Sequence, residues 1–170
     1  MCSICGFLST NQAPAQLVLG MLEDTKHRGP DGYGICVDGK IKKTKKLQDL
    51  DISGDAKIGL GHARLNIIGG EDALQPFEDC SRGLSLVCNG EVYNYKEIAE
   101  NLREKHTFKT KSDSEILLHL IEELYQGNLL KATKRAMQLV TGMYAFAVTD
   151  GKELKHYYNQ GVKARTGIER

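Results

Sequence analysis

The sequence has no apolar run near the ~18 residues that a membrane-crossing helix needs, so no helical span is expected. Its start lacks a basic segment followed by an apolar stretch, so no secretory signal is expected either. An excess of one charge is also missing. The 23 Lys and Arg residues against 22 Asp and Glu leave a net charge of +1, which points to neither nucleic acid nor an acidic surface as partner. The basic run Lys40, Lys42, Lys43, Lys45 and Lys46 has no interleaved aromatics and reads as a solvated hairpin. Five cysteines are an odd number without framework spacing, which argues against a disulfide set and for a reducing, cytoplasmic setting. No internal repeat, low-complexity stretch or steady β-α-β alternation occurs, so a doubly wound parallel sheet is not expected.

What remains is a chain of 170 residues, enough for one domain with a substantial core. Strands are expected at 3–8, 33–37, 57–62, 84–88, 143–148 and 154–158. A helix follows Pro14, with Leu17, Val18, Met21 and Leu22 on one face. Two N-cap boxes, Asn94 with Glu97 and Ser112 with Glu115, each precede apolar residues at helical spacing. A further helix is expected over 129–138. Residues 69–83 carry two adjacent glycines, Pro76 and Gly83, and read as loop. Strands at both ends and clustered helices favour an α+β fold with packed sheets covered by helices.

Cys2 and Cys5 have the C-x-x-C spacing of a redox pair or half a zinc site. In a strand, however, positions three apart face opposite sides, roughly 10 Å apart. A disulfide needs Cα atoms within about 4.4–6.8 Å. No second C-x-x-C or histidine pair completes a zinc site. Metal and cofactor are therefore expected to be absent. Removal of Met1 would instead give Cys2 a free α-amino group beside its thiol. That amine has an ordinary pKa of about 7.7–8.0, so one residue could supply nucleophile and base.

Cys2-Ser3-Ile4 before Gly6, then His27-Arg28-Gly29-Pro30-Asp31-Gly32, resembles the start of class II glutamine amidotransferases, in particular the glutaminase domain of asparagine synthetases. Four more stretches agree in order and approximate spacing. They are Gly61-His62-Ala63-Arg64-Leu65-Asn66-Ile67-Ile68, Asn89-Gly90-Glu91-Val92-Tyr93-Asn94-Tyr95, Ser112-Asp113-Ser114-Glu115 and Gly142-Met143-Tyr144-Ala145-Phe146-Ala147. The resemblance implies a four-layer α/β/β/α sandwich of the N-terminal-nucleophile type, with two antiparallel sheets. It implies glutamine as substrate and hydrolysis of its side-chain amide through a thioester on Cys2.

By the same resemblance, Asn89 and Gly90 stabilise the oxyanion, Arg64 grips the α-carboxylate, and Asp113 with Glu91 holds the α-ammonium. Leu65 and Ile68 line the pocket, and Arg28 and Asp31 support the loop over it. His62 is given no acid–base role. From the residues alone, Asn89-Gly90 can be read as a hairpin turn, a reading weakened because Asn94 starts a helix where a second strand is needed, and Asp113 can be a carboxylate at a helix start. A non-catalytic glutamine-binding regulatory subunit is the competing function.

The resemblance thins towards the C-terminal end. The family continues into a synthetase domain with a Ser-Gly-Gly-x-Asp-Ser loop, and no such sequence occurs here. Residues 1–150 are expected to form the glutaminase domain and 151–170 its divergent, shortened end, with no synthetase domain. Ammonia would pass to a separate synthetase subunit or domain. An uncovered sheet edge after residue 150 invites pairing with another copy, which makes a homodimer a reasonable hypothesis. No nucleic-acid or membrane partner is expected.

Overall fold

A computed structural model of the chain describes residues 2–66 and 73–159. One antiparallel sheet holds β1 (Ser3–Pro14), β2 (Gly32–Val37), β3 (Lys40–Thr44) and β4 (Asp55–Arg64), in the order β1-β4-β2-β3. A second holds β5 (Phe77–Glu78), β6 (Ser85–Val92), β7 (Gly142–Thr149) and β8 (Leu154–Asn159), in the order β5-β6-β7-β8. Helix α1 (Leu17–Thr25) packs on the outer face of the first sheet. Helices α2 (Tyr95–Leu102), α3 (Asp113–Leu124) and α4 (Leu129–Leu139) pack on the outer face of the second. The layers are those of the α/β/β/α sandwich.

Strand alternation builds all three interfaces. In β2, Tyr33, Ile35 and Val37 face α1, while Cys36 faces the other sheet. In β6, Leu86 and Cys88 face the helices and Val87 faces inwards. In β7, Tyr144, Phe146 and Val148 meet the helices and Ala147 the opposing sheet. The space between the sheets is filled by Cys36, Leu60, Val87 and Ala147, with Ile4, Ile41 and Leu154 packed around them. Each fully buried Leu or Ile contributes about 1.5–3 kcal/mol. No helix among the described residues is long and apolar enough to cross a membrane.

The helices follow their sequence periodicity. α4 buries Leu129, Ala132, Thr133, Ala136 and Met137, one stripe at i, i+3, i+4, i+7 and i+8. α3 is buried on every side over residues 114–122, because it packs against α2, α4 and β6. That burial includes Glu115, His119 and Glu122, three polar side chains.

Several elements differ from the sequence expectation. β1 runs to Pro14 and β6 to Val92, beyond the ends read from apolar alternation: β1 resumes pairing with β4 at Ala13 and Pro14 after an irregularity that follows Leu8, and β6 pairs with β7 through Asn89, Gly90 and Glu91. Phe77 and Glu78, read as loop, form a two-residue strand against Leu86 and Ser85. Asn94 precedes α2 but does not cap it. Its side chain bridges the Leu139 carbonyl and the Thr141 N–H, tying α2 to the end of α4. Ser112 does cap α3, accepting from the Ser114 N–H. Glu115, however, accepts from the N–H groups of Lys109 and Thr110 rather than closing a box. The lysine run forms β3, the exposed arm of the β2–β3 hairpin, and the segment after it. β8 falls within 151–170 and pairs along β7, while residues 160–170 lie outside the described ones.

Candidate active site

The parity of β1 separates the two N-terminal cysteines. Ile4 faces the space between the sheets, so Cys2, two residues earlier, shares that face, and Cys5 takes the other. Cys5 pairs with Gly61, where an added Cβ would come within 2.7 Å of the Cys5 sulfur. The cysteine thus fills the gap left by the glycine and packs with the residues under α1. Burial pushes its thiol up to about 12. It is a core residue, not the partner of Cys2.

Cys2 lies one step beyond the pair Ser3 and Ala63, hence alongside Arg64. Its sulfur accepts the Leu65 N–H at 3.4 Å and faces the Leu65 carbonyl at 3.7 Å. On β4, Leu60, His62 and Arg64 share the inter-sheet face. On β6, Val87 and Asn89 share it. Three strands therefore run their inner faces out into one mouth between the sheets. That mouth is a cleft of about 740 Å³ lined by Cys2, Arg64, Leu65, Asn89, Gly90, Glu91 and Asp113. Of the expected site residues, only Ile68 lies outside the described residues.

Asn89 and Gly90 are not a hairpin turn. They sit inside β6, opposite Ala145 and Tyr144 of β7. The other edge of β6 is paired with β5 only at Ser85 and Leu86. From there on, polar side chains serve the edge. Gln75 accepts the Cys88 N–H at 2.5 Å and donates to the Cys88 carbonyl at 3.0 Å. Asp113 accepts the Val92 N–H at 2.6 Å. Strand alternation turns residues 88, 90 and 92 to this same edge. The Gly90 N–H is therefore presented to the cleft, between two groups that are already satisfied. The φ of Gly90 is +157°, and an added Cβ would overlap the Met143 carbonyl oxygen and the Tyr144 Cα. Only glycine fits there.

Arg64 is buried and donates to Asn66 Oδ1 at 3.0 Å. Asp31 holds the same stretch: its carboxylate accepts the Asn66 N–H at 2.7 Å, and its own N–H donates to the Arg64 carbonyl at 2.9 Å. Arg28, expected to help, is exposed and has no side-chain hydrogen bond or ion pair among the described residues. Asp113 stands in the first turn of α3 with one oxygen on Val92. Glu91 is exposed at the cleft wall. The lining of the cleft therefore carries a guanidinium and two carboxylates, the charges that a zwitterion would pair with.

His62 is fully buried between the sheets, and neither ring nitrogen makes a hydrogen bond among the described residues. Burial pushes its pKa down to about 3, with the charges of Arg64 and Lys43 adding to the effect against a weaker pull from the Cys88 backbone. Burial out of reach of solvent thus favours the neutral ring. Gln75, Lys111, Tyr93 and Tyr158 also line the cleft and were not foreseen. Gln75 lies in a stretch without periodicity, and its pairing with Cys88 leaves no local sequence signal.

Residues 1–159 match the family described as the glutamine amidotransferase domain. A Methanocaldococcus jannaschii protein assigned as a glutamine-hydrolysing asparagine synthetase is 36% identical over 154 residues, 88% of this chain and 26% of that protein. The glutamine–fructose-6-phosphate aminotransferase of Clostridium acetobutylicum is 33% identical over 168 residues, 90% of this chain and 27% of that protein. This chain thus spans about a quarter of the length of these relatives. Among solved structures, the glutamine phosphoribosylpyrophosphate amidotransferase of B. subtilis has a TM-score of 0.73 at 25% identity. The match covers 94% of this chain and 37% of that one. A second, the allosteric regulatory enzyme of purine biosynthesis, has a TM-score of 0.74 at 24% identity and supports the fold alone.

Proposed function

This chain belongs to the glutamine amidotransferase family, and we propose that it hydrolyses the side-chain amide of glutamine to glutamate and ammonia through a thioester on Cys2. The observation that carries the reading is the convergence of the Cys2 sulfur, the Asn89–Gly90 edge, Arg64 and Asp113 on one cleft.

After loss of Met1, the α-amine of Cys2 takes the thiol proton as the sulfur attacks the amide carbon. The carbonyl oxygen becomes an oxyanion facing the Asn89 side-chain amide and the Gly90 N–H. Donors fixed in advance cost no reorganisation when the charge forms. The intermediate collapses, the C–N bond breaks, and the ammonium of Cys2 returns a proton to the leaving nitrogen as ammonia departs. Water, deprotonated by the same amine, then cleaves the thioester to glutamate. Two easier steps replace one difficult one. Arg64 pairs with the α-carboxylate, where a planar fork suits two oxygens. The Asp113 oxygen not taken by Val92, together with Glu91, meets the α-ammonium, and Leu65 forms part of the pocket wall.

Ammonia goes to a synthetase domain or subunit beyond this chain, as the two-substrate names of the relatives suggest. Formation of asparagine is the use nearest the resemblance. Five cysteines without a disulfide support a cytoplasmic setting. Pairing of two copies along the β8 edge belongs to the same proposal, and a clean monomer on gel filtration overturns that part.

Glutamine-dependent ammonia release tests the activity, with hydroxylamine added to intercept the thioester as γ-glutamyl hydroxamate. Cys2→Ala should lose both products, at least about 10³-fold in rate, while still binding glutamine. Binding without ammonia release in the wild type would favour the regulatory reading instead.

A further inference from the structure

On the outer side of the second sheet, four side chains with no part in this chemistry converge. Cys80 comes from the β5–β6 loop, His106 from the segment after α2, and His119 and Glu122 from adjacent turns of α3. The cysteine sulfur, one nitrogen of each ring and a carboxylate oxygen all lie within 4.8 Å of one another. We propose that these four residues form a structural zinc site.

The distances fit a tetrahedral ion. Zinc bonds of about 2.0–2.3 Å put neighbouring ligand atoms about 3.3–3.6 Å apart. Here Nδ1 of His119 is 2.9 Å and Nδ1 of His106 is 3.0 Å from Oε2 of Glu122. The Cys80 sulfur is 3.8 Å from Nδ1 of His119. No pair is more than 4.8 Å apart, so movements of up to about 1 Å would convert this set into a coordination shell.

The outward-facing atoms make the stronger case. Nε2 of His106 lies 3.2 Å from a Glu123 oxygen, whereas buried Nε2 of His119 makes no hydrogen bond among the described residues and has a Glu115 oxygen 3.9 Å away. Metal-bound histidines commonly present their outer N–H to a carboxylate in this way. A neutral ring then meets both partners: a lone pair inwards to the metal and an N–H outwards. As hydrogen bonds alone, the contacts of His106 require its ring to donate from both nitrogens, with the His119 ring centre 5.2 Å away. Glu122 is oriented as a ligand would be. Its Oε1 accepts from the Ser81 hydroxyl at 3.1 Å, the Cys80 N–H is shared between Oε1 and Oε2 at 3.1 Å each, and Oε2 is the oxygen that faces both rings.

One thiolate, two imidazoles and one carboxylate make a borderline donor set that suits zinc rather than calcium or magnesium, which take oxygen ligands. The side chains of His106, His119 and Glu122 are 6%, 1% and 3% exposed, and exposed Cys80 gives the ion its route in. Four protein ligands leave no open position, which marks a structural rather than a catalytic centre. The ion would pin two loops to α3, the helix whose first turn carries Asp113 into the cleft. No motif in the chain announces it, because the ligands come from three separate segments between residues 80 and 122 and only His119 and Glu122 lie close together.

The test uses the full chain, stripped with chelator under reducing conditions and titrated with cobalt(II), then zinc(II). The proposal expects one ion per chain, the visible bands of tetrahedral cobalt and a thiolate-to-cobalt charge-transfer band, all displaced by zinc. Zinc should also raise the melting temperature. Cys80→Ala should remove the charge-transfer band, and Glu123→Gln should weaken affinity about 10- to 100-fold. Both substitutions are at exposed residues, so unchanged far-ultraviolet circular dichroism separates ligand loss from misfolding. Failure to take up either ion stoichiometrically, or a charge-transfer band that survives Cys80→Ala, overturns the proposal. Neither readout involves glutamine, so the result stands apart from the amidohydrolase reading.

Discussion

Cys2 and Leu65 meet at a single point: the Leu65 N–H donates to the Cys2 sulfur at 3.4 Å, and the Leu65 carbonyl lies 3.7 Å from the same atom. Leu65 immediately follows Arg64 at the end of β4. The strand end that steadies the sulfur therefore also carries the guanidinium proposed to hold the substrate. Nucleophile and anchor move together, so the reach from sulfur to scissile amide is set by a few covalent bonds.

Arg64→Lys keeps the charge and loses the fork. Hydrogen bonds to charged groups contribute about 1.5–3 kcal/mol each. The KM for glutamine should rise about 10- to 100-fold, with a smaller change in kcat. Steady-state ammonia release measures both, and an unchanged KM would remove Arg64 from the carboxylate site.

Gly90→Ala puts a methyl group into the Met143 carbonyl and the Tyr144 backbone. β6 must then move away from β7 at the presented N–H. Stability should fall by at least about 1–3 kcal/mol, read from urea midpoints. Residual activity in the folded fraction should fall further than stability alone explains.

Gln75→Leu removes both bonds to Cys88 and leaves a buried N–H and a buried carbonyl unmet. Each orphan costs about 1–3 kcal/mol. Gln75 is a positioning residue, since it fixes the strand one step before Asn89. The variant should lose stability and kcat while KM changes little, because Arg64 and Asp113 are untouched.

His62 makes stability depend on pH. Its folded pKa of about 3 lies below the ordinary 6.5, so the unfolded chain binds the proton first. The contribution of the neutral ring is fully present above pH 6.5 and is lost as pH falls from there towards 3, at up to about 1.4 kcal/mol per unit. His62→Leu should flatten the fall in urea midpoint between pH 7.5 and pH 5. Identical slopes in both proteins would show that another group sets the dependence.

Parity made much of the site legible in advance. The three-residue spacing of Cys2 and Cys5 forces them to opposite faces once Ser3 begins a strand, and alternation likewise aligns Arg64 and Asn89 with Cys2. The strand ends were less visible, because β6 continues through Asn89, Gly90 and Glu91, residues chosen for the cleft rather than for a pleated core. Asn94 misled for a related reason. An asparagine before a helix satisfies local cap chemistry, yet here the end of α4 competes for the same amide and wins. Gln75 was illegible because its value lies in reaching Cys88, a contact fixed only when the sheets assemble.

The five thiols differ sharply in what surrounds them. Burial pushes Cys5 and Cys88 up to about 12 and also raises Cys36. Thiolates, not thiols, react with electrophiles. A bulky alkylating reagent at neutral pH therefore meets a protein with two targets, Cys2 in the cleft and Cys80 at the outer helices. Glutamine should shield the first and zinc the second, so a single labelling pattern would report the occupancy of both sites at once.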